Sequence, residues 1–456
     1  MSSKKDLVEA HSFNRRRLVT AFVSGAPGGR EVEPVRYGRT LVGGLVLALL
    51  VVVAAAVAPI LRPTLPKGWN DKGLVIGKES GSRFVAFDKT LYPIINTTSA
   101  RLILGTQGDF KVNFVPDDEI AKQKQGDTIG IPGAPDLLPT PSKLIATGWT
   151  ACTNQSQGVK VDLSTDPAVT PRPHAAFVVT SQSDKSVHVI AGEHQYALPR
   201  GAKGNAVLRA LGLDGNAAQP VPGLWLDLIS PGTSLQPFDV AGEGTKVDTG
   251  VDGLDTVGTP VKVDGRPYVL SRKGLLPLTD FAYTVYRSAG PGATLPAQQV
   301  QSGQISTVRT VNDPAARPYP SDWPEQSVTP YDRGDAPCLL LRTEDERAAT
   351  VQLAAPADRS PAMSTSTGVT RAVDSGHGAL VQATSGGVIG SGTVFLVDST
   401  GTRYAVGSRS DVGSALTALG YGSTTPQAVP AGWLDLFGDG PALTSKAATR
   451  PTGSQP

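Results

Sequence analysis

Apolar positions along the chain fall into three regimes. In residues 2–22, Leu7, Val8, Phe13, Leu18, Val19 and Phe22 recur at near-helical spacing among basic residues, which predicts a helix with one apolar face. Residues 41–61, LVGGLVLALLVVVAAAVAPIL, hold no charge and nothing more polar than glycine. As a helix this run spans about 31 Å, the thickness of a bilayer's hydrocarbon core. The remaining 395 or so residues show short apolar runs broken by glycine and proline, the pattern of a β-rich body. A cleaved signal is the alternative for 41–61, because Ala56-Val57-Ala58 has the form of a cleavage site. The run exceeds the usual length of about 7–15 residues, 40 residues precede it and Pro59 follows the site, so a retained anchor is expected. A buried soluble helix fits poorly, since the run has no polar face.

Beyond the anchor the chain repeats itself. Residues 194–228 align without a gap to 402–436 at an offset of 208. Tyr196, Gly212, Pro222, Trp225 and Asp227 match Tyr404, Gly420, Pro430, Trp433 and Asp435. A looser pair relates 84–95 to 268–279 at an offset of 184, through Lys89 and Lys273, Leu91 and Leu275, Pro93 and Pro277. These matches predict four units with one grammar: an apolar strand, a turn, a strand bearing an aromatic, then a short helix. Trp225 and Trp433 are expected in a strand or turn packed on each unit's helix, with Asp227 and Asp435 as turn or cap residues.

The expected class is α+β: a single N-terminal transmembrane helix, then an elongated extracytoplasmic body of four small strand/helix units around a central β-rich domain. The expected segments are a cytoplasmic basic helix (1–40), the anchor (41–61) and units at 68–110, 186–235, 258–289 and 391–445. A central domain is expected from 111–185 with 290–390, a connector at 236–257 and a disordered tail at 446–456. Residues 290–330 read as loop or disorder.

Charge sets the expected orientation. Residues 1–40 carry eight basic and four acidic side chains, a net +4, with Arg36 and Arg39 beside the apolar run. The positive-inside rule places this segment in the cytoplasm and the body outside. Arg15, Arg16, Arg17 and Phe22 are the candidate contacts of the first helix, with anionic lipid or with a protein partner. The whole chain has a net charge of only +2, so no basic field points to nucleic acid. Two cysteines exist, Cys152 and Cys338. In an oxidising compartment such a pair most often forms one disulfide, with two buried free thiols as the alternative.

Candidate chemistry is thin. Gly73-Leu74-Val75-Ile76-Gly77-Lys78-Glu79 approaches a phosphate-binding loop but is one residue short and lacks the Ser or Thr that would hold Mg²⁺. Asp374-Ser375-Gly376-His377-Gly378 resembles a serine-protease nucleophile loop, yet His174, His188 and His194 lie in no matching motif. No catalytic residue, cofactor or metal site is expected.

Three stretches resemble the EccB component of type VII (ESX) secretion systems of actinobacteria: SFNRRRLVTAFVSGAPGGREVEP, LYPIINTTSARLILG and STGTRYAVGSRSDVGSALTALGYG. The resemblance covers nearly the whole chain. It implies a subunit of an inner-membrane channel complex, single-pass, with its body on the extracytoplasmic side. It implies as partners an FtsK-like motor ATPase, a many-spanning subunit, a further membrane subunit and a subtilisin-like protease, with possible homo-oligomers and cell-wall contact. It also implies units like the wall-binding part of a phage lysin, and a disulfide between Cys152 and Cys338. The family is sometimes catalogued as an ATPase, for which the sequence offers no motif. The alternative function is an anchored cell-wall-binding or hydrolytic protein.

Overall fold

The computed structural model describes residues 4–25, 37–57, 65–105, 111–153, 158–215, 218–332, 336–344, 348–357, 368–385, 390 and 392–453. The chain divides into two compact units, Met1–Lys67 and Gly68–Pro456. The first holds α1 (Lys4–Ser24) and α2 (Tyr37–Val57). Within α2, Gly38–Val57 is long and apolar enough to cross a membrane. The helix therefore starts four residues before the apolar run, because that run marks hydrophobicity rather than a helix cap. Residues 58–61, expected as its outer end, lie outside the described residues.

Among its described residues, the second unit is built from five sheets. The first contains β1 (Lys72–Gly77), β2 (Arg83–Phe87), β3 (Thr90–Pro93), β4 (Val112–Val115) and β5 (Lys124–Gln125), with α3 (Thr97–Leu104) and α4 (Asp117–Ala121). A central stretch follows as β6 (Trp149–Thr153), β7 (Gly158–Leu163) and β8 (Val169–Pro171). The second small sheet has β9 (Ala175–Ser181), β10 (Val187–Ala191), β11 (His194–Ala197), α5 (Ala202–Ala210), β12 (Gln219–Val221), α6 (Gly223–Leu226) and β13 (Ser230–Gly232). The third has β14 (Pro260–Val263), β15 (Arg266–Ser271), β16 (Gly274–Pro277), α7 (Asp280–Ala289) and β17 (Gln298–Val300). After β18 (Thr329–Pro330), the chain returns to the centre as β19 (Cys338–Arg342), β20 (Thr350–Pro356) and β21 (Gly368–Val373). The fourth small sheet has β22 (Ala379–Thr384), β23 (Val394–Val397), β24 (Thr402–Ala405), α8 (Val412–Leu419), β25 (Gln427–Pro430), α9 (Ala431–Leu434) and β26 (Gly438–Asp439), followed by α10 (Ser445–Ala448).

All four small sheets follow one plan. Three antiparallel strands form a meander, a helix crosses over, and the next strand returns parallel to the first; examples are β4 on β1 and β25 on β22. Local chemistry sets the turns. Asp88 and Lys89, between β2 and β3, both have positive φ (44° and 62°), as do Asp264 and Gly265 (46° and 81°) between β14 and β15. Two such residues in succession make the hairpin turn that suits twisted strands. Asn96 caps α3 by accepting from the Ser99 N–H, and Thr279 caps α7 by accepting from Ala282. Gly420 ends α8 with a left-handed φ of 94°.

A tyrosine laid over a glycine recurs in three units. A Cβ on Gly126, Gly232 or Gly440 would sit 2.3, 2.4 or 2.3 Å from the ring Cε1 of Tyr92, Tyr196 or Tyr404. Each ring comes from the third strand of its meander and each glycine from the end of the unit, so the pair closes the unit.

The units pack in pairs. Helix α3 lies on α8 and α5 lies on α7, which joins the first unit to the fourth and the second to the third. At the first crossing a Cβ on Gly105 would meet the Ala418 Cα at 2.7 Å, so only glycine permits this approach. Leu74, Leu102, Leu396 and Tyr421 share the core of the first pair, while Phe238, Phe281, Tyr286 and Trp323 share that of the second. The six-stranded central sheet runs β21-β7-β6-β19-β20-β8 and packs on Trp225 and Trp433 from the small units.

Several boundaries differ from the sequence expectation. The second and fourth units begin earlier, because β9 and β22 pair with β10 and β23. Those strands are short apolar runs, which do not announce the sheet they join. Residues 298–300 belong to the third sheet and 329–330 to the second, not to the centre. The segment read as loop, 290–330, buries Tyr319 and Trp323 against Phe238. The tail read as disordered is docked: Ala448 is fully buried, the Gly130 N–H donates to the Arg450 carbonyl at 3.3 Å and the Thr452 N–H to Thr128 at 2.9 Å. Residues 454–456 lie outside the described residues. The P-x-x-W-L-D-L segments form the short helices α6 and α9 rather than strands or turns. Their tryptophans insert into the central core: Trp225 Nε1 donates to the Ala151 carbonyl at 2.9 Å and Trp433 Nε1 to Leu228 at 3.0 Å.

Four tyrosines are held neutral. Tyr196 donates to the Asp322 carbonyl (2.5 Å), Tyr286 to Gly258 (2.8 Å), Tyr421 to Pro139 (2.6 Å) and Tyr404 to the Asp398 carboxylate (3.1 Å). Burial raises all four phenols, with nearby carboxylates adding to the effect except at Tyr421; Tyr404 is pushed up to about 12. A phenol whose folded pKa is raised stabilises the fold fully below the unfolded value near 10 and loses that contribution as pH climbs through the folded value. Alkaline titration followed by phenolate absorbance should therefore show these four of the ten tyrosines ionising only above pH ~11, together with loss of near-UV dichroism. Ionisation of all ten near pH ~10 with the fold intact would contradict this burial.

Candidate functional site

The expected contact residues of the N-terminal segment lie on one continuous helix. Arg15, Arg16, Arg17 and Phe22 are all exposed on α1, and Phe22 is 94% accessible. At ~100° per residue, Leu7, Val8, Leu18, Val19, Phe22 and Val23 share an arc of about 160°. Phe13 falls outside that arc, correcting its place in the stripe, and Arg15 falls inside it. The result is an apolar band with the Arg15 guanidinium within it and Arg16 at its edge, while Arg17 stands on the opposite side of the helix; a band so bordered suits a lipid headgroup region or an acidic helix groove.

The two cysteines form the other candidate feature. Cys152 and Cys338 are directly opposite each other on antiparallel β6 and β19, with Cα atoms 3.9 Å apart and a bonded S–S distance of 2.03 Å. The Thr153 N–H donates to the Pro337 carbonyl at 3.0 Å, so Cys152–Cys338 is the adjacent, closely spaced, non-hydrogen-bonded position. Leu340 and Ala354 bury it. The bond joins the two halves of the central sheet.

Segments that resembled catalytic motifs have other uses. Gly73–Gly77 lies in β1 and leads through a turn into antiparallel β2, with the Lys78 N–H donating to the Val115 carbonyl at 3.0 Å. A phosphate loop needs a strand followed by a helix whose amides face the ligand; here those amides serve a sheet. Asp374 ties its turn to the central domain, accepting from the Thr165 N–H (2.8 Å), Thr165 Oγ1 (3.0 Å) and Ser164 Oγ (3.3 Å). These bonds, the Thr165 N–H foremost, hold its carboxyl below the usual range against the opposing effect of desolvation. His377 Nδ1 lies 3.1 Å from the Ser375 carbonyl within the same turn. His188 Nε2 lies 2.7 Å from Ser186 Oγ, and the His194 ring tilts against Tyr196. The structure brings these histidines to no common point with Ser375. Among the described residues, no three His, Cys, Asp or Glu side chains are placed to hold a metal ion.

An ion-pair cluster in the fourth unit escaped the sequence reading. Arg403 reaches Asp435 and Asp439, both at 2.8 Å. At the matching position of the second unit stands Gln195, whose Nε2 donates to the Leu226 and Ile229 carbonyls at 3.1 and 3.3 Å. The repeat alignment carries this signal: Arg403 and Gln195 differ within otherwise matched segments, while Asp435 and Asp227 agree.

Comparison with known proteins gives one consistent outcome. The family described as type VII secretion system ESX-1, transport TM domain B (EccB) matches residues 1–454. Among individual relatives, "ESX-2 secretion system ATPase EccB2" of Mycobacterium tuberculosis is 27% identical over 493 aligned positions, covering 98% of this chain and 94% of the relative. "ESX-3 secretion system ATPase EccB3" of Mycolicibacterium smegmatis is 27% identical, covering 91% of this chain and 84% of the relative. Among solved structures, a chain of an intact ESX-5 inner membrane complex is similar with a TM-score of 0.64 at 23% identity, covering 100% of this chain and 96% of that one. A chain of an EccB3 dimer from the ESX-3 core complex is similar with a TM-score of 0.63 at 21% identity, covering 83% of this chain and 99% of that one. With an apolar helix ahead of a disulfide-closed body of four like units, and a family match running from residue 1 to residue 454, this chain belongs to the EccB family of type VII secretion membrane proteins.

Proposed function

We propose that this protein is a structural, membrane-anchored subunit of a type VII protein secretion complex. Among the described residues helix α2 is the single membrane span, the segment ahead of it lies in the cytoplasm and the body from Gly68 onward lies outside. The carrying observation is the family match over residues 1–454, which takes in the basic N-terminal helix, the anchor and the body together. The net charge of +4 over residues 1–40 supports the orientation, and a disulfide in the body fits an oxidising compartment.

In this reading α1 presents Arg15, Arg16, Arg17 and Phe22 to the cytoplasmic face of the complex or to the lipid beside it. The rigid body, stapled at its centre, supplies the extracytoplasmic scaffold on which copies and other subunits meet. The partners are a motor ATPase, a many-spanning subunit, a further membrane subunit and a protease.

The test is purification of the full-length protein through an N-terminal tag from membranes in mild detergent. Recovery in a particle of several hundred kilodaltons with other membrane proteins is expected. Recovery of the protein alone from cells that actively export through such a system would overturn the assignment. The variant Phe22→Asp with Arg15, Arg16 and Arg17 changed to Glu should reduce that recovery by about tenfold or more while leaving the unfolding of the body unchanged. Unchanged recovery would remove α1 from the contact surface.

A further inference from the structure

The first unit ends in an open edge. Strand β4 pairs with β1 on one side and with no described strand on the other. Two bonds fix which backbone groups face outward: the Leu74 N–H donates to the Lys111 carbonyl at 2.8 Å and the Lys78 N–H to Val115 at 3.0 Å. Alternate residues of a parallel ladder bond the same neighbour. Lys111, Asn113 and Val115 are therefore turned toward β1, and Val112 and Phe114 direct their N–H and C=O groups to the open side. The side chains of Val112 and Phe114 are 41% and 60% accessible. They stand in register with Leu74 and Ile76 and extend that apolar face to the rim of the sheet. Of the five large apolar side chains exposed in the described body, Val112 and Phe114 stand on this edge strand. A flat apolar edge of this kind is a template for strand addition.

The charges beside the strand point to its occupant. Lys111 stands at its start, and Asp117, Asp118 and Glu119 follow its end. A strand that is basic at one end and acidic at the other is complementary to its own reverse. We propose that β4 is a self-complementary docking edge, at which a second copy of this chain adds its own β4 in antiparallel register about a twofold axis at Asn113.

In that register Val112 of each copy faces Phe114 of the other. Both residues carry outward backbone groups, so each pair exchanges both of its N–H···O bonds. Each also forms a cross-strand pair of aromatic on β-branched side chain, a favourable combination. Lys111 is opposite the second copy's Val115 and diagonal to its Asp117. Asn113 faces itself at the non-hydrogen-bonded site, the closest approach of the two strands. Anchoring both copies in one membrane through α2 raises their effective concentration along this edge. The contact gives a specific surface to the homo-oligomer part of the function proposed above, and its test does not depend on co-purification of other subunits.

Both native cysteines are in the disulfide, so an introduced cysteine is the single free thiol. The experiment is mild oxidation of full-length Asn113→Cys in isolated membranes, read on a non-reducing gel and by mass. A reducible product of twice the monomer mass is expected as the main species. Adding Phe114→Lys should lower that product by about tenfold or more, with the native disulfide and unfolding midpoint kept. Ser142→Cys, exposed elsewhere in the body, should give none. The proposal falls if Asn113→Cys stays monomeric, if its thiol links to a different polypeptide, or if Phe114→Lys leaves the yield unchanged.

Discussion

Removing the disulfide by changing both Cys152 and Cys338 to alanine should lower the unfolding free energy of the body by about 2–5 kcal/mol. The chain-entropy model sets the upper end: a bond between residues 186 positions apart restricts the unfolded chain by about 5 kcal/mol. The native side adds little that alanine would lose, because Leu340 and Ala354 already pack the site with apolar atoms. Alanine also avoids burying a hydroxyl where Cys338 is fully enclosed. Urea titration of the variant beside the oxidised and fully reduced native protein measures the effect. The variant and the reduced protein should share one lowered midpoint. If all three unfold at the same urea concentration, the bond carries no stability and the sheet holds its two halves by packing alone.

Changing Trp433 to alanine should cost about 3–5 kcal/mol, the range for deleting a fully enclosed aromatic. The indole is completely buried in the core shared by the central sheet and the second and fourth units. Its Nε1 also serves the Leu228 carbonyl, at the end of the repeated segment of the second unit. Trp433→Phe separates the two contributions: it keeps much of the ring volume and orphans the carbonyl, which costs about 1–3 kcal/mol. Trp225 holds the matching place in the other repeat but donates to Ala151 in β6. The same substitution there should loosen the second unit from the central sheet, whereas Trp433→Ala should loosen the fourth unit from the second. Hydrogen exchange resolved by segment distinguishes these outcomes. Equal loss of protection in all units from both variants would mean that the core does not divide along the hydrogen bonds.

The sequence discloses elements whose signal is local. The span α2 is a single run of apolar residues, and the repeat of 194–228 at 402–436 is a matter of matching letters. What stayed hidden depends on partners distant in the chain. Strands β9 and β22 look like isolated apolar runs until β10 and β23 pair with them. The Pro-rich stretch 314–323 reads as loop because proline and polar residues dominate it, yet Tyr319 and Trp323 are held by Phe238 from another segment. The C-terminal residues carry almost no apolar pattern and are fixed by backbone bonds to Thr128 and Gly130. At the candidate site, Arg15–Arg17 and Phe22 were legible as a basic, apolar helix. The open edge at β4 was not, because Val112 and Phe114 look like core residues until the sheet leaves them at its rim.

The placement of the bond also divides the body mechanically. Cys152 and Cys338 close a covalent ring that contains the whole second and third units, while the first and fourth units lie on the two strands of chain leading out of it. Tension between the anchor end and the C-terminal end is borne first by the crossing of α3 and α8 and by the docked tail. Once these yield, the pull reaches the sulfur bridge and stops there. Roughly 630 Å of chain, at ~3.4 Å per residue, stays inside the ring and cannot be drawn out while the bond is intact. A structural subunit of a type VII secretion system is thereby built with a limit on its own extension.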